Sequence, residues 1–325
     1  MLAVYCRVHA STSRQREKPL DRLHAMSVFL TVVDTGSLSA AGRKLGMPLP
    51  TVSRKITELE QHLNAKLITR TTRKLVLTDT GASYLAASRR ILDSVDEAER
   101  AASGEYSAPR GDLVMTAPLA FGRLHVVPVL CEFLQTYPEV NVRLSLGDRN
   151  INLVDEHVDL ALRVGVLPSS GMVAKSLGEV RRVVCASPHY LARRAAPLHP
   201  DTLAEHLCIG FDVLDAGYGW RFVVDGKDHM VPIRPRLVVN SAEAAVDAAA
   251  TGFGLASVLS YQAEAALRRG ELSLVLRDYE APPLPVNFLY LGQGRLPLKV
   301  RAWLDFAGPR LRERIAAVDE ALNGR

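Results

Sequence analysis

Ser37–Thr78 reads SLSAAGRKLGMPLPTVSRKITELEQHLNAKLITRTTRKLVLT, and its pattern decides the fold of the N-terminal part. Ser37 or Ser39 stands where a side-chain oxygen caps a helix start. Ala40, Ala41 and Leu45 then give a small apolar face. Gly46 follows where a helix closes on a left-handed residue. Pro48 and Pro50 suit a turn and the first position of a new helix, because proline lacks only an N–H that would be unpaired there. From Thr51 onward Val52, Ile56, Leu59 and Leu63 recur every three to four positions, the period of a buried helix face. Ser53, Arg54, Thr57 and Gln61 lie off that stripe. Helix, glycine turn and a second helix with polar reach make a helix-turn-helix, whose second helix enters the major groove. The competing reading is a solvated helical hairpin. Against it, Lys66–Arg70 and Lys74–Thr78 flank a Thr71-Thr72-Arg73 tip, a short basic hairpin or wing suited to phosphate.

Charge supports the same reading. The stretch carries eight Lys/Arg against Glu58 and Glu60, a net +6, and residues 1–20 add a further +3. The whole chain is only +5, so the rest of it is net acidic. A concentrated basic segment on a near-neutral body is the footprint of a polyanion-binding element. The length of 325 residues allows two or three domains, and 48% hydrophobic content supports sizeable cores. No apolar run approaches the roughly 20 residues that span a bilayer. Arg7 interrupts the apolar start MLAVYC, so no secretion signal is expected. Cys6, Cys131, Cys185 and Cys208 form no CxxC pair, and reduced thiols in a cytoplasmic protein are the simplest expectation.

SLSAAGRKLG followed by TVSRKITELEQHLNAKLITRTTRKLVLTDTG resembles the N-terminal domain of the LysR-type transcriptional regulators, densely from Leu23 to about Leu92. Two departures stand out: Gly42 where the family usually has Ala, and Pro50 where it often has Ser. The glycine should weaken its helix by somewhat under ~1 kcal/mol. The resemblance implies a winged helix-turn-helix, a long linker helix and a two-lobed α/β effector domain like a periplasmic binding protein, a mixture of α+β and α/β classes. It also implies double-stranded DNA, a small-molecule effector and a second copy of the chain as partners.

Residues 1–20 read as a disordered basic arm, or an extension with no role, since the family usually begins near Asp21. Residues 21–78 are the DNA-binding domain, with Leu23, Met26, Phe29, Leu30 and Val33 on one face of its first helix. Residues 79–110 form a helix capped by Thr78, then a hinge. Tyr84, Ser88, Ile91, Val95, Ala98 and Ala102 alternate by four and three residues, a spacing that makes either a dimer seam or a face packed on its own domain. From 111 to 325 strands alternate with helices, as in parallel α/β layers, with a helix expected over Ile151–His157. A single Rossmann-like domain fits this pattern. The resemblance implies instead one lobe from 113–179 plus 286–323 and another from 180–285, in a homodimer or a dimer of dimers.

For DNA the expected contacts are Ser39, Pro50, Thr51, Ser53, Arg54 and Thr57 at base edges or nearby phosphates, with Arg70, Thr72 and Arg73 on the backbone. Arg54 suits a bidentate grip on guanine or, equally, a phosphate. Ligands of open α/β sheets sit at the carboxyl ends of strands, near helix N-termini that attract anions. Pro118, Leu119, Ala120 and Phe121 follow the first strand, Gly147 and Asp148 the second, and Ser241 opens an alanine-rich helix. Each lines an effector cleft or closes the core. The family often has Ser or Thr at the position of Pro118, gripping a carboxylate. Its absence points to a more apolar effector, or to a weaker carboxylate grip through Ser241, Arg163 and helix amides. Phe211 and Trp220 are candidate walls.

Other chemistry finds little footing. Gly252–Ser257 is a loose GxGxx pattern after a helix and before a strand, the reverse of a dinucleotide fingerprint. His206 and Cys208 lack further ligands nearby, no HExxH pair exists, and no GxSxG elbow is present. Neither a metal nor a resident cofactor is expected, and a solute-binding protein or an α/β enzyme with a helical appendage remains the rival reading.

Overall fold

The computed structural model describes residues 20–70, 75–102, 108–148, 153, 156, 158–166, 171–211, 219–292 and 296–323. The chain divides into two compact units, 1–99 and 100–325. The arm at 1–19, the wing tip 71–74 with Thr72 and Arg73, and most of Ile151–His157 lie outside the described residues.

The first unit opens with α1 (Arg22–Thr35), α2 (Leu38–Leu45) and α3 (Leu49–Leu63). Ser37, not Ser39, caps α2, accepting from Ala40 N at 3.3 Å. Gly46 closes α2 at φ 65°, where any side chain would be strained. Pro48 is the N-cap of α3. Val52, Ile56 and Leu59 are buried against Ala25, Val28, Phe29 and Val32. The α1 face is thus rotated from the expected one: of the five residues named only Phe29 is fully buried, and Leu23 is exposed. The sequence offers two apolar stripes on this helix, and the more β-branched, compact one fits under α3. A Cβ on Gly42 would lie 2.7 Å from the Met47 carbonyl, so the weaker helix former is accommodated by a close turn.

A hairpin follows, β1 (Ile68–Arg70) antiparallel to β2 (Leu75–Leu77). Then comes α4 (Asp79–Ala102), with Thr78 Oγ1 accepting from Gly81 N at 2.9 Å. The first turns of α4 face their own domain. Tyr84 lies 5.8 Å from the Phe29 ring, Ser88 is fully buried and Arg89 pairs with Asp34. Further along, Ile91 and Ala98 are exposed.

The second unit starts with β3 (Gly111–Ala117), α5 (Leu119–Phe121), a π-helical turn (Gly122–Val126) and α6 (Val127–Thr136). These last three are one continuous helix. β4 (Val140–Leu146), β5 (Leu160–Val164) and β6 (Met172–Val180) follow. The chain then crosses to β7 (Arg182–Ala186), α7 (Pro188–Arg193), β8 (Cys208–Phe211), β9 (Gly219–Val224), β10 (Lys227–Pro232) and β11 (Leu237–Val239). α8 (Ala242–Ala250), β12 (Leu255–Leu259), α9 (Ser260–Arg268) and β13 (Ser273–Val275) complete that part. β14 (Leu284–Leu291) and α10 (Leu298–Asn323) return the chain.

Among the described residues two five-stranded sheets result, ordered β4-β3-β5-β14-β6 and β11-β8-β12-β7-β13, with β9–β10 as a separate hairpin. Neither sheet is purely parallel. β14 runs antiparallel to both β5 and β6, and β7 antiparallel to β12 and β13. The helix–strand alternation could not reveal this, because the antiparallel strands are those on which the chain passes between lobes. β6, with mostly exposed and intermediate positions, carries too weak an apolar pattern to have been expected. Phe133, Phe288 and Trp303 centre the core between the first sheet and α10.

Candidate nucleic-acid interface and effector cleft

On α3 the same periodicity that buries Val52, Ile56 and Leu59 turns Pro50, Arg54 and Thr57 outward, with Thr51 and Ser53 half-buried beside them. Ser39 is exposed on α2. The Arg54 side chain is 70% exposed and its Nε lies 3.5 Å from Glu58 Oε1 one turn on. An exposed pair of this kind contributes only about 0.3–0.5 kcal/mol. It therefore orients the guanidinium without competing seriously with a guanine contact of ~1–3 kcal/mol. Thr57 Oγ1 bonds back to Ser53 O at 3.0 Å. Arg70 closes β1 opposite Leu75, at the base of the tip.

Glu60 holds this surface together, and no sequence pattern announced it. Its carboxylate is buried at the back of α3 and accepts from Leu67 N (3.0 Å), Ile68 N (3.2 Å) and Lys66 Nζ (2.6 Å). Burial works against the charge. The Lys66 bond and the two amides outweigh it and hold the carboxyl below its ordinary value. α3 is thereby fixed to the hairpin by charge-assisted bonds.

In the second unit, β3 delivers the chain to Pro118, which ends the strand in extended geometry and opens the helix beginning at Leu119. Leu119 is exposed, whereas Ala120 and Phe121 are buried. The Phe121 ring meets His125 at 4.8 Å and Tyr261 of α9 at 5.1 Å, so it bridges the lobes from within the core. Gly147 follows β4, and its N–H bonds Ala117 O at 3.0 Å, bringing Asp148 over the helix start. Asp148 Oδ1 accepts from Leu119 N at 3.1 Å.

Arg163 lies on β5 opposite Asn287 of β14, both only 8% exposed. Its Nη1 donates to Leu162 O at 3.1 Å, and Nη2 is buried without a partner. Burial lowers its pKa and the Asp148 carboxylate opposes that. On the other lobe Ser241 caps α8, accepting from Ala244 N at 3.2 Å and donating to Glu243 Oε2 at 3.0 Å. Arg123 of the first lobe reaches Glu243 Oε1 at 3.3 Å. Phe211 and Trp220 are buried, Trp220 in a separate cluster with Phe222 and Tyr190. The structure therefore brings Pro118, Leu119, Gly147 and Asp148 together, while Ser241 meets the first lobe through Glu243.

His125 also escaped sequence reading. Both ring nitrogens are buried without hydrogen bonds, and burial, aided by the Arg314 cation, lowers its pKa to about 4. Cys185 and Cys208 are free thiols pushed up to about 12 by burial. Among the described residues no group of three His, Cys, Asp or Glu could hold a metal ion, and no helix is long and apolar enough to cross a membrane.

The family described as "Bacterial regulatory helix-turn-helix protein, lysR family" matches residues 23–82, and "LysR substrate binding domain" matches residues 107–312. The chain belongs to the LysR family. An HTH-type transcriptional regulator of Xanthomonas campestris pv. campestris is 38% identical over 289 residues, 87% of this chain and 84% of that one. The structure of CrgA, a LysR-type transcriptional regulator from Neisseria meningitidis, aligns with TM-score 0.58 at 31% identity, over 89% of this chain and 98% of that one. The full-length structure of AphB, a virulence activator of Vibrio cholerae, aligns with TM-score 0.56 at 26% identity, over 88% and 98%. This LysR-family chain is thus a helix-turn-helix transcriptional regulator with a two-lobed α/β regulatory domain.

Proposed function

We propose that this regulator reads duplex DNA with the outward face of α3 and that a small molecule held between the two lobes alters that grip. The observation that carries the reading is the division of α3 into a buried stripe (Val52, Ile56, Leu59) and an exposed polar face centred on Arg54 and Thr57. Arg54 reads a guanine edge, Pro50, Thr51 and Ser53 lie along the groove wall, and Ser39 and the wing residues Arg70, Thr72 and Arg73 meet phosphate. Phosphate contacts of this kind position the helix and make binding salt-dependent.

The exposed stretch of α4 around Ile91, Val95 and Ala98 pairs with the same stretch of a second copy, giving a homodimer that associates further into a dimer of dimers. Two recognition helices then lie about one DNA turn (~34 Å) apart and suit a two-fold site. The protein works in the cytoplasm as a switch without catalysis, metal or resident cofactor. Pro118, Leu119, Gly147, Asp148, Arg163 and Ser241 border the effector cleft. Ala120, Phe121 and Phe211 support it from the core.

The test is a gel shift with the DNA upstream of its own gene against random DNA at fixed salt. Arg54→Ala should lose roughly tenfold or more in affinity for the upstream DNA, the scale of a lost bidentate base contact, and far less for random DNA. Unchanged affinity for both would remove Arg54 from the interface.

A further inference from the structure

The cleft offers an anion two places by pattern: the start of the Leu119–Thr136 helix, and the Ser241 hydroxyl at the start of α8. Both are already committed to carboxylates of the chain itself. Leu119 N donates to Asp148 Oδ1 at 3.1 Å. Ser241 Oγ donates to Glu243 Oε2, and the cross-lobe Arg123 reaches the other oxygen of Glu243. Asp148 is held there by construction, because Gly147 N is bonded to Ala117 O, which fixes the turn after β4 over the helix start. A third group, independent of either helix, stands near the carboxyl end of β5, the strand that pairs in parallel with β3. Arg163 is only 8% exposed, its Nη2 has no partner, and Asp148 is the carboxylate whose field reaches it. A buried guanidinium donor with no acceptor is costly, and it marks where a ligand acceptor is wanted.

We propose that Asp148 is a tethered carboxylate that fills this anion position from within, so that the cleft rejects carboxylate ligands and selects uncharged, carbonyl-bearing ones that take the free N–H of Arg163. This rests on the cleft being the effector site and adds its ligand class. The charge argument is direct. A ligand carboxylate next to Arg163 lies beside the like charge of Asp148, whereas a neutral carbonyl takes the N–H and leaves the Asp148–Leu119 bond intact. The exposed Leu119 side chain supplies an apolar surface beside it.

The experiment uses the full chain and formate, which is the carboxylate of Asp148 without its stem and so fits the space that Asp148→Ala opens. Tryptophan fluorescence and thermal unfolding are followed against formate and its neutral counterpart formamide. Asp148→Ala should gain a saturable thermal shift with formate, at least about tenfold tighter than any response of the native chain. Adding Arg163→Gln should abolish that gain. Asp148→Asn, which keeps the side-chain volume, should bind formate better than the native chain as well. Paired acids and amides, benzoate with benzamide and acetate with acetamide, are then compared on the native chain, where the amide of any pair that binds should win. Two results overturn the proposal: no formate response in either variant, or a native chain that takes formate or benzoate as readily as the variants do. DNA binding by Asp148→Ala is measured separately, so failure of the regulator reading appears in the gel shift and not in the formate titration.

Discussion

Protonating His125 should open the regulatory unit from inside. The imidazole packs against both the Phe121 and the Tyr261 ring, with no acceptor or donor for either nitrogen. Its pKa falls from the ordinary 6.5 to about 4. Between those values the unfolded chain takes up a proton that the folded chain refuses. Stability from the neutral ring is therefore complete above pH ~6.5, declines as pH falls, and is exhausted at about 4. The pKa gap corresponds to about 3 kcal/mol over the window. Both tryptophans, Trp220 and Trp303, lie in the second unit, so urea unfolding followed by their fluorescence reports that unit alone. His125→Phe keeps an aromatic ring in the stack without nitrogens to charge. Relative to it, the native chain should lose about 3 kcal/mol between pH 7 and 4, while carboxylate titrations common to both proteins cancel. Parallel pH curves for the two would refute the reasoning.

Two further outcomes follow from the first unit. Glu60→Ala leaves the Leu67 and Ile68 amides and Lys66 without their acceptor. It should cost about 1–3 kcal/mol and speed hydrogen exchange at those amides, with unchanged exchange counting against it. In the native protein this contribution is present above the ordinary glutamate value and lost only as pH falls through the lowered one. Gly81→Ala puts a Cβ 2.0 Å from the Leu67 carbonyl, a backbone atom that cannot swing away. It should destabilise the junction of hairpin and α4 by more than the ~1 kcal/mol that alanine gains in a helix, which circular dichroism on heating would detect as a lowered first transition.

What the sequence revealed and what it hid divide along physical lines. The α3 stripe, the Gly46 stop and the Thr78 cap were legible because each depends on residues within one or two turns. The Glu60 clamp was not, since its partners lie on a later strand and a lone glutamate on a helix reads as solvated. The same holds at the cleft. Ser241 announced its helix start locally and Pro118 only the end of a strand, but that Asp148 and Glu243 occupy the two helix starts depends on contacts the turn after β4 and the α8 geometry create. His125 looked like a residue of an ordinary helix, and only the π-helical turn and the approach of Tyr261 make it a buried, unpaired base.

The place of β14 inside the first sheet, between β5 and β6, has a consequence for biogenesis. It joins β5 to β6, strands made more than a hundred residues earlier in the 325-residue chain. During synthesis the second lobe, whose strands all lie between residues 182 and 275, emerges complete first. The older half must wait with an open seam until β14 is translated. A chain truncated before β14 would expose two unpaired strand edges, a ready target for cellular proteases.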